Sequence, residues 1–67
     1  MDLTLNGEAR ALPDGTTVAQ LLEQLKTPAE RVVVEVNLTI LKRAQHQETV
    51  LRAGDQVEIV RFVGGGG

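Results

Sequence analysis

A single stretch of helical periodicity, lying between segments with the periodicity of strands, most limits what this chain can fold into. In TTVAQLLEQLK the apolar residues follow the spacing i, i+3, i+4, i+7, which aligns them on one face of a helix; they are Val18, Leu21, Leu22 and Leu25. Thr17 is a favourable N-cap, and Gln20 three residues later completes a capping box. Pro28 closes the element, because proline disfavours helical backbone in the residue before it. We predict one helix of about three turns, with Lys26 at the negative end of its dipole.

The segment before the helix has the pattern of a β-hairpin. Met1, Leu3 and Leu5 alternate with polar residues in MDLTLN, so they fall on one face of a half-buried strand. Asn6 and Gly7 are typical of a two-residue hairpin turn, because both tolerate positive φ. EARAL is predicted to be the second strand, and PDG after it a second turn.

Strand-like segments follow the helix. RVVVEVN is rich in β-branched residues and directs alternate valines toward the helix, namely Val32, Val34 and Val36. TILKR predicts a short strand. In QVEIVRFV, Val57 and Ile59 fall on one face, while Val60 and Phe62 fall on the other unless a bulge intervenes. Apolar residues on both faces are typical of a central strand.

This order of elements predicts an α+β fold of the β-grasp, or ubiquitin-like, class, with a mixed sheet of about five strands packed on one main helix. Neither an internal repeat nor a second domain is indicated. We therefore divide the chain into a folded domain over residues 1–63 and a flexible glycine tail over residues 64–67.

Composition narrows the possible functions. The chain has no cysteine, so disulfides and cysteine-ligated metal sites are excluded. A net charge of -2 with scattered Lys and Arg argues against nucleic acid as the main partner. No apolar run approaches the roughly 20 residues of a membrane span, and the start lacks the features of a secretory signal. We expect a soluble cytoplasmic protein that is monomeric when free.

No arrangement of side chains indicates catalysis. Nucleophilic catalysis needs a nucleophile beside a base, and no spacing in this chain brings such a pair together. His46 is the only histidine, which argues against a metal site. We expect His46 to be a surface or packing residue. We predict no catalytic residue, no bound cofactor and no metal, so the chain is interpreted as a substrate of other enzymes.

The C-terminal sequence RFVGGGG is the remaining candidate for chemistry. Glycine lacks a side chain, so four in series form a thin thread that can enter a narrow active site of another protein. The reactive group at its end is the α-carboxylate of Gly67, which becomes a good electrophile once AMP is transferred to it. A sulfur donor could then displace AMP and leave a thiocarboxylate. Taken alone, however, such a tail is more typical of a linker or of residues left by cloning.

The segments GTTVAQLL, RAQHQETVLRAGDQVEIV and the glycine end, in this order and spacing, resemble the ThiS family of bacterial sulfur carriers in thiamine biosynthesis. The resemblance covers nearly the whole chain and implies a β-grasp fold. It implies that a ThiF-like adenylyltransferase, using ATP and Mg, adenylates Gly67, that a sulfur donor enzyme supplies the sulfur, and that a ThiG-like thiazole synthase receives it. Gly64, Gly65 and Gly66 would enter the partner's active site. One departure concerns Asn37 and Leu38, where the family commonly has Asn-Gly, which leaves that turn's type open.

A docking surface is predicted beside the tail. Val60 and Phe62 would form an exposed apolar patch, flanked by Arg61 and Val63 and extended by residues of the preceding strands, Val33 and Leu41. The alternative is a bulge that turns Phe62 inward to fill the core. Other functions also remain open: a small-subunit-like carrier of molybdopterin synthase, a ubiquitin-like modifier joined to lysines through Gly67, or a passive interaction domain.

Overall fold

The computed structural model describes residues 1–62, which form a five-stranded mixed sheet with one α-helix packed against it. The strands and helix have these bounds: β1 Asp2–Leu5, β2 Glu8–Ala11, α1 Val18–Gln24, β3 Val32–Val36, β4 Thr39–Leu41 and β5 Gln56–Arg61. The strand order is β2-β1-β5-β3-β4, with β1 parallel to β5 and the other pairs antiparallel. The predicted β-grasp class and the central position of the last strand are confirmed.

The first hairpin forms as the sequence predicts. Leu3 and Leu5 are buried on the face of the sheet that meets the helix. Asn6 and Gly7 have φ angles of 49° and 82°, the positive values that a two-residue hairpin turn requires.

The helix begins at the predicted capping box. Thr17 Oγ1 accepts a hydrogen bond from the backbone N–H of Gln20 at 3.1 Å, and Gln20 Oε1 accepts one from the N–H of Thr17 at 3.0 Å. Two otherwise unpaired donors of the first turn are thereby satisfied. No helix in the described part of the chain is long and apolar enough to cross a membrane.

The helix is shorter than predicted, because the chain reverses at Lys26. α1 has 7 residues, about two turns rather than three. Lys26 has a left-handed φ of 54°, and its N–H donates to the carbonyl of Glu23 at 3.0 Å. The N–H of Thr27 donates to the carbonyl of Leu22 at 2.9 Å, which completes a Schellman-type C-terminus. Lys26 therefore lies directly after the C-cap Leu25, at the negative end of the helix but outside its last turn.

The core lies between α1 and one face of the sheet. Its buried apolar residues are Leu3, Leu5, Leu12, Val18, Leu21, Leu22, Val32, Val34, Leu51 and Val57. Val36 and Ile59 pack against this cluster, as the alternation within β3 and β5 predicts. Burial of these aliphatic side chains supplies the main favourable term in folding.

The central strand is regular to its end, which settles the orientation of Phe62. β5 pairs with β3 without interruption from Val32 opposite Arg61 to Val36 opposite Val57. The Phe62 side chain is 57% exposed, and its backbone N–H donates to the carbonyl of Arg31 at 2.8 Å. The alternative in which a bulge turns Phe62 into the core is wrong.

The register of the second hairpin corrects one predicted surface residue. Leu41 is paired with Val34, a core residue, and packs against the core itself. Cross-strand partners share a face of the sheet. Leu41 therefore does not extend the exposed patch, whereas Ile40, paired with Glu35, points outward and is 64% exposed.

The turn of the second hairpin keeps its geometry without a glycine. Asn37 and Leu38 have φ angles of 51° and 71°, which match the first hairpin and resolve the question of turn type. Leu38 is 88% exposed, so no burial compensates for its conformation. A side chain in the left-handed region costs about 1–2 kcal/mol.

Replacing Leu38 by glycine is expected to stabilise the domain. Relief of the left-handed strain outweighs the extra entropy of glycine in the unfolded chain, so the free energy of unfolding should rise by about 0.5–1 kcal/mol. Urea unfolding followed by circular dichroism measures the change. Leu38→Ala is the matched control, because it removes the apolar side chain but keeps the Cβ. Equal stability of the Gly and Ala variants would show that backbone strain is not the cause.

Candidate functional site

Apolar side chains gather on the outward face of the sheet near the end of β5. Val60 and Phe62 are each 57% exposed, and Val33 lies directly opposite Val60 on β3. Ile40 lies on the neighbouring strand, diagonal to Val33. We call these four residues the outer patch. It contains three of the residues predicted for docking and adds Ile40, which only the hairpin register reveals.

The end of the described chain lies at the edge of the outer patch. The hydrogen bond from the Phe62 N–H to the Arg31 carbonyl fixes the backbone where β5 leaves the sheet. Arg61 is exposed but pairs with Val32, which places it on the opposite side of the sheet from the outer patch. Val63 and the glycine tail, Gly64–Gly67, lie outside the described residues, so their roles stay predictions.

Two asparagine side chains hold the central strand in place. Asn6 Oδ1 accepts a hydrogen bond from the Ile59 N–H at 2.8 Å, which extends the pairing of β5 beyond the end of β1. Asn37 Oδ1 accepts one from the Gln56 N–H at 2.9 Å, and its Nδ2 donates to Asp55 Oδ1 at 3.0 Å. Sequence reasoning assigned both residues to turns and missed these contacts. The recurrence of Asn at both turns was the available signal.

The sequence predicts His46 to be either a surface residue or a packing residue, and the structure shows that it is a packing residue. It is 4% exposed, and no group among residues 1–62 makes a hydrogen bond to its Nδ1. Desolvation by burial, with a smaller effect of the Arg43 charge, lowers the pKa of His46 below 6.5. Within residues 1–62, no three or more His, Cys, Asp or Glu side chains are placed to hold a metal ion.

Comparison with known proteins relates this arrangement to one family. The family model described as "ThiS family" matches residues 3–66. The sulfur carrier protein ThiS of Escherichia coli (strain K12) is 30% identical over 66 residues, which cover 98% of this chain and 100% of that protein. A crystal structure of the thiamine biosynthesis protein ThiS from Geobacter metallireducens superposes with a TM-score of 0.85 at 39% identity, covering 98% of this chain and 100% of that one.

A longer relative contains a similar segment. The thiazole synthase of Paramagnetospirillum magneticum is 39% identical over 66 residues, which cover 98% of this chain but 20% of that protein. The present chain therefore spans about a fifth of the length of that relative.

Protonation of His46 is expected to make the fold less stable at mildly acidic pH. Because its pKa is lowered in the folded protein, the unfolded chain takes up a proton more readily. The contribution of neutral His46 to the free energy of unfolding is thus fully present above about pH 6.5. It is lost as the pH falls toward the lowered pKa of the folded protein. Urea unfolding at about pH 7.5, 6.5 and 5.5 measures this loss. His46→Leu should flatten the dependence in that range, and an unchanged slope in this variant would assign the effect to other groups.

Proposed function

The chain belongs to the ThiS family, the sulfur carriers of thiamine biosynthesis, and we propose that it carries its sulfur as a thiocarboxylate on Gly67. One observation supports this most: the match to a named sulfur carrier extends over its full length, and the family model reaches residue 66. This match also favours the thiamine pathway over the molybdopterin alternative.

Two displacement reactions convert the Gly67 carboxylate into a thiocarboxylate. First, an oxygen of the Gly67 carboxylate attacks the α-phosphorus of ATP, a new O–P bond forms, and pyrophosphate leaves. Next, a sulfur nucleophile at the oxidation level of sulfide attacks the carbonyl carbon of the acyl adenylate, and AMP leaves with the electrons of the broken C–O bond. The groups that stabilise phosphoryl charge, including Mg, belong to a ThiF-like adenylyltransferase.

The glycines before Gly67 suit a narrow active site. Gly64, Gly65 and Gly66 carry no Cβ, so the thread they form has the smallest possible cross-section. The last described backbone hydrogen bond is at Phe62, five residues before Gly67.

The outer patch is the proposed docking surface for the adenylyltransferase. Exposed contiguous apolar side chains on a small protein commonly mark an interaction site. Val60 lies on β5 and Phe62 directly follows this strand, so docking there would bring Gly67 to the active site. Val63 would flank this contact, whereas Arg61 lies on the other side of the sheet and takes no part in it.

A thiazole synthase is the proposed recipient of the sulfur. A segment similar to this chain occurs within the thiazole synthase of Paramagnetospirillum magneticum, so the two parts are covalently joined in that organism. Physical joining of carrier and recipient in that relative supports a direct transfer of sulfur from this chain to a thiazole synthase.

Thiocarboxylate formation is tested by intact-mass spectrometry. After incubation with a ThiF-like adenylyltransferase, ATP, Mg and sulfide, the chain should gain the mass difference between sulfur and oxygen. A chain with a C-terminal amide at Gly67 is the matched control, because it lacks the attacking carboxylate. An unchanged mass, under conditions in which the enzyme converts its own carrier, would contradict the proposal.

Phe62→Ala tests the docking surface. Because the Phe62 side chain is largely exposed, its loss should change the free energy of unfolding by less than about 0.5 kcal/mol. The kcat/KM of adenylation should nevertheless fall about tenfold or more, since aromatic anchors dominate interfaces.

Leu41→Ala is the control for that experiment. It removes a side chain that packs against the core, so it should lower the free energy of unfolding by about 1–2 kcal/mol while leaving adenylation of the folded protein unchanged. A destabilised Phe62→Ala variant with normal kcat/KM would contradict the docking role.

A further inference from the structure

Two carboxylates face each other on the outward side of the sheet. Glu35 on β3 and Glu58 on β5 are directly opposite in the register, and like charges in this position destabilise a sheet. Within residues 1–62 the recorded ion pair joins the N-terminus to Asp14, and neither glutamate has a basic group within ion-pairing distance. The pair is therefore not neutralised by the described part of the chain.

All charged residues at the outward positions of the five strands are acidic. Outward positions of the five strands carry three carboxylates and no Lys or Arg; they are Asp2, Thr4, Ala9, Ala11, Val33, Glu35, Ile40, Gln56, Glu58 and Val60. A partner that covers this face meets apolar and acidic groups together.

The two glutamates line a groove between the hairpin turns. The cavity has a volume of about 250 Å³ and is lined by Glu35, Gln56 and Glu58 together with the turn residues Gly7 and Leu38. Both turns are bonded to β5 through asparagine side chains, which holds these lining residues in place. The strained, exposed Leu38 is thus part of this groove.

Covering the outer patch necessarily covers the groove's carboxylates. Val60 is two residues from Glu58, and Val33 is two residues from Glu35, all on the same face. A docked apolar surface would remove water from both carboxylates, and burying an unpaired charge costs several kcal/mol. Docking is favourable only if the partner supplies positive charge at this point.

We propose that the adenylating partner inserts one arginine side chain between Glu35 and Glu58 while its apolar surface covers the outer patch. This inference rests on the proposed function and specifies the partner chemistry that it requires. A guanidinium is planar and has five donors, so it can bond to both carboxylates at once, whereas a lysine is a point charge. The same contact would reject partners with an acidic or purely apolar surface.

The test compares binding and stability in glutamine variants of the full chain. Isothermal titration with a ThiF-like adenylyltransferase, in the absence of ATP, gives the Kd for wild type, Glu35→Gln, Glu58→Gln and the double variant. Kd should rise about tenfold or more in the double variant, and its dependence on salt should weaken. The urea midpoint of the double variant should rise, because the repulsion between the carboxylates is removed.

Glu8→Gln is the matched control, since it removes one exposed strand carboxylate from another part of the sheet. Its Kd should stay within about twofold of wild type, as expected for a charge outside the contact. A double variant whose Kd equals that of the control would overturn the inference. A double variant that both unfolds more easily and binds more weakly would also overturn it, because a structural role would then explain the loss.

Separate readouts distinguish this inference from the proposed function. Transfer of AMP to wild-type chain tests the function, and the ratio of variant to wild-type Kd tests the arginine contact. Binding that depends on both glutamates without AMP transfer would refute the function alone. AMP transfer with unchanged Kd in the double variant would refute the arginine contact alone.

Discussion

Backbone pairing of β5 on both of its sides is the interaction on which the rest of this structure depends. β5 is last in the chain but lies third in the sheet, between β1 and β3. The parallel pairing with β1 requires the chain to cross from one edge of the sheet to the other, and α1 lies in that crossover. Only when β5 is in place do the two hairpins share one face, and only that shared face buries the apolar stripe of the helix.

The same pairing gives the candidate site its form. Inward residues of β5 complete the core, and its outward Val60 belongs to the outer patch, so one strand contributes both to stability and to the proposed docking surface. Asn6 and Asn37 bond the backbone N–H groups of Ile59 and Gln56 to the adjacent turns. The proposed reactive group then follows a strand held on both sides, which suits the proposed presentation of the C-terminal residues to a partner enzyme.

Local chemistry allowed much of the fold to be predicted. The capping box at Thr17, the Asn-Gly turn and the alternation in β3 and β5 each depend on residues close together in sequence, and all are confirmed. The errors arose where local preference was overridden. Lys26 adopts a left-handed conformation that favours glycine, which shortened the helix relative to its apolar stripe. Leu41 was misplaced because a strand of three residues has no alternation of its own, and its face follows from the pairing with Val34.

The candidate site was less predictable from sequence, because it depends on register between distant segments. The opposition of Glu35 and Glu58 and the contact of Asn6 with Ile59 join positions that no local pattern connects. The burial of His46 likewise follows from how its loop packs against the helix, where the Ala19 N–H donates to the His46 carbonyl.

The central position of β5 also has a mechanical consequence. A force applied along β5 at its C-terminal end, as the proposed partner enzyme could apply it, acts along the axis of this strand. The ladders to β1 and β3 run along both of its sides, and their hydrogen bonds lie across the direction of pull, so the load acts on many of them at once in shear. An edge strand pulled from its end would instead peel away bond by bond. The position of β5 therefore makes the domain resistant to a force applied at the C-terminal end of this strand.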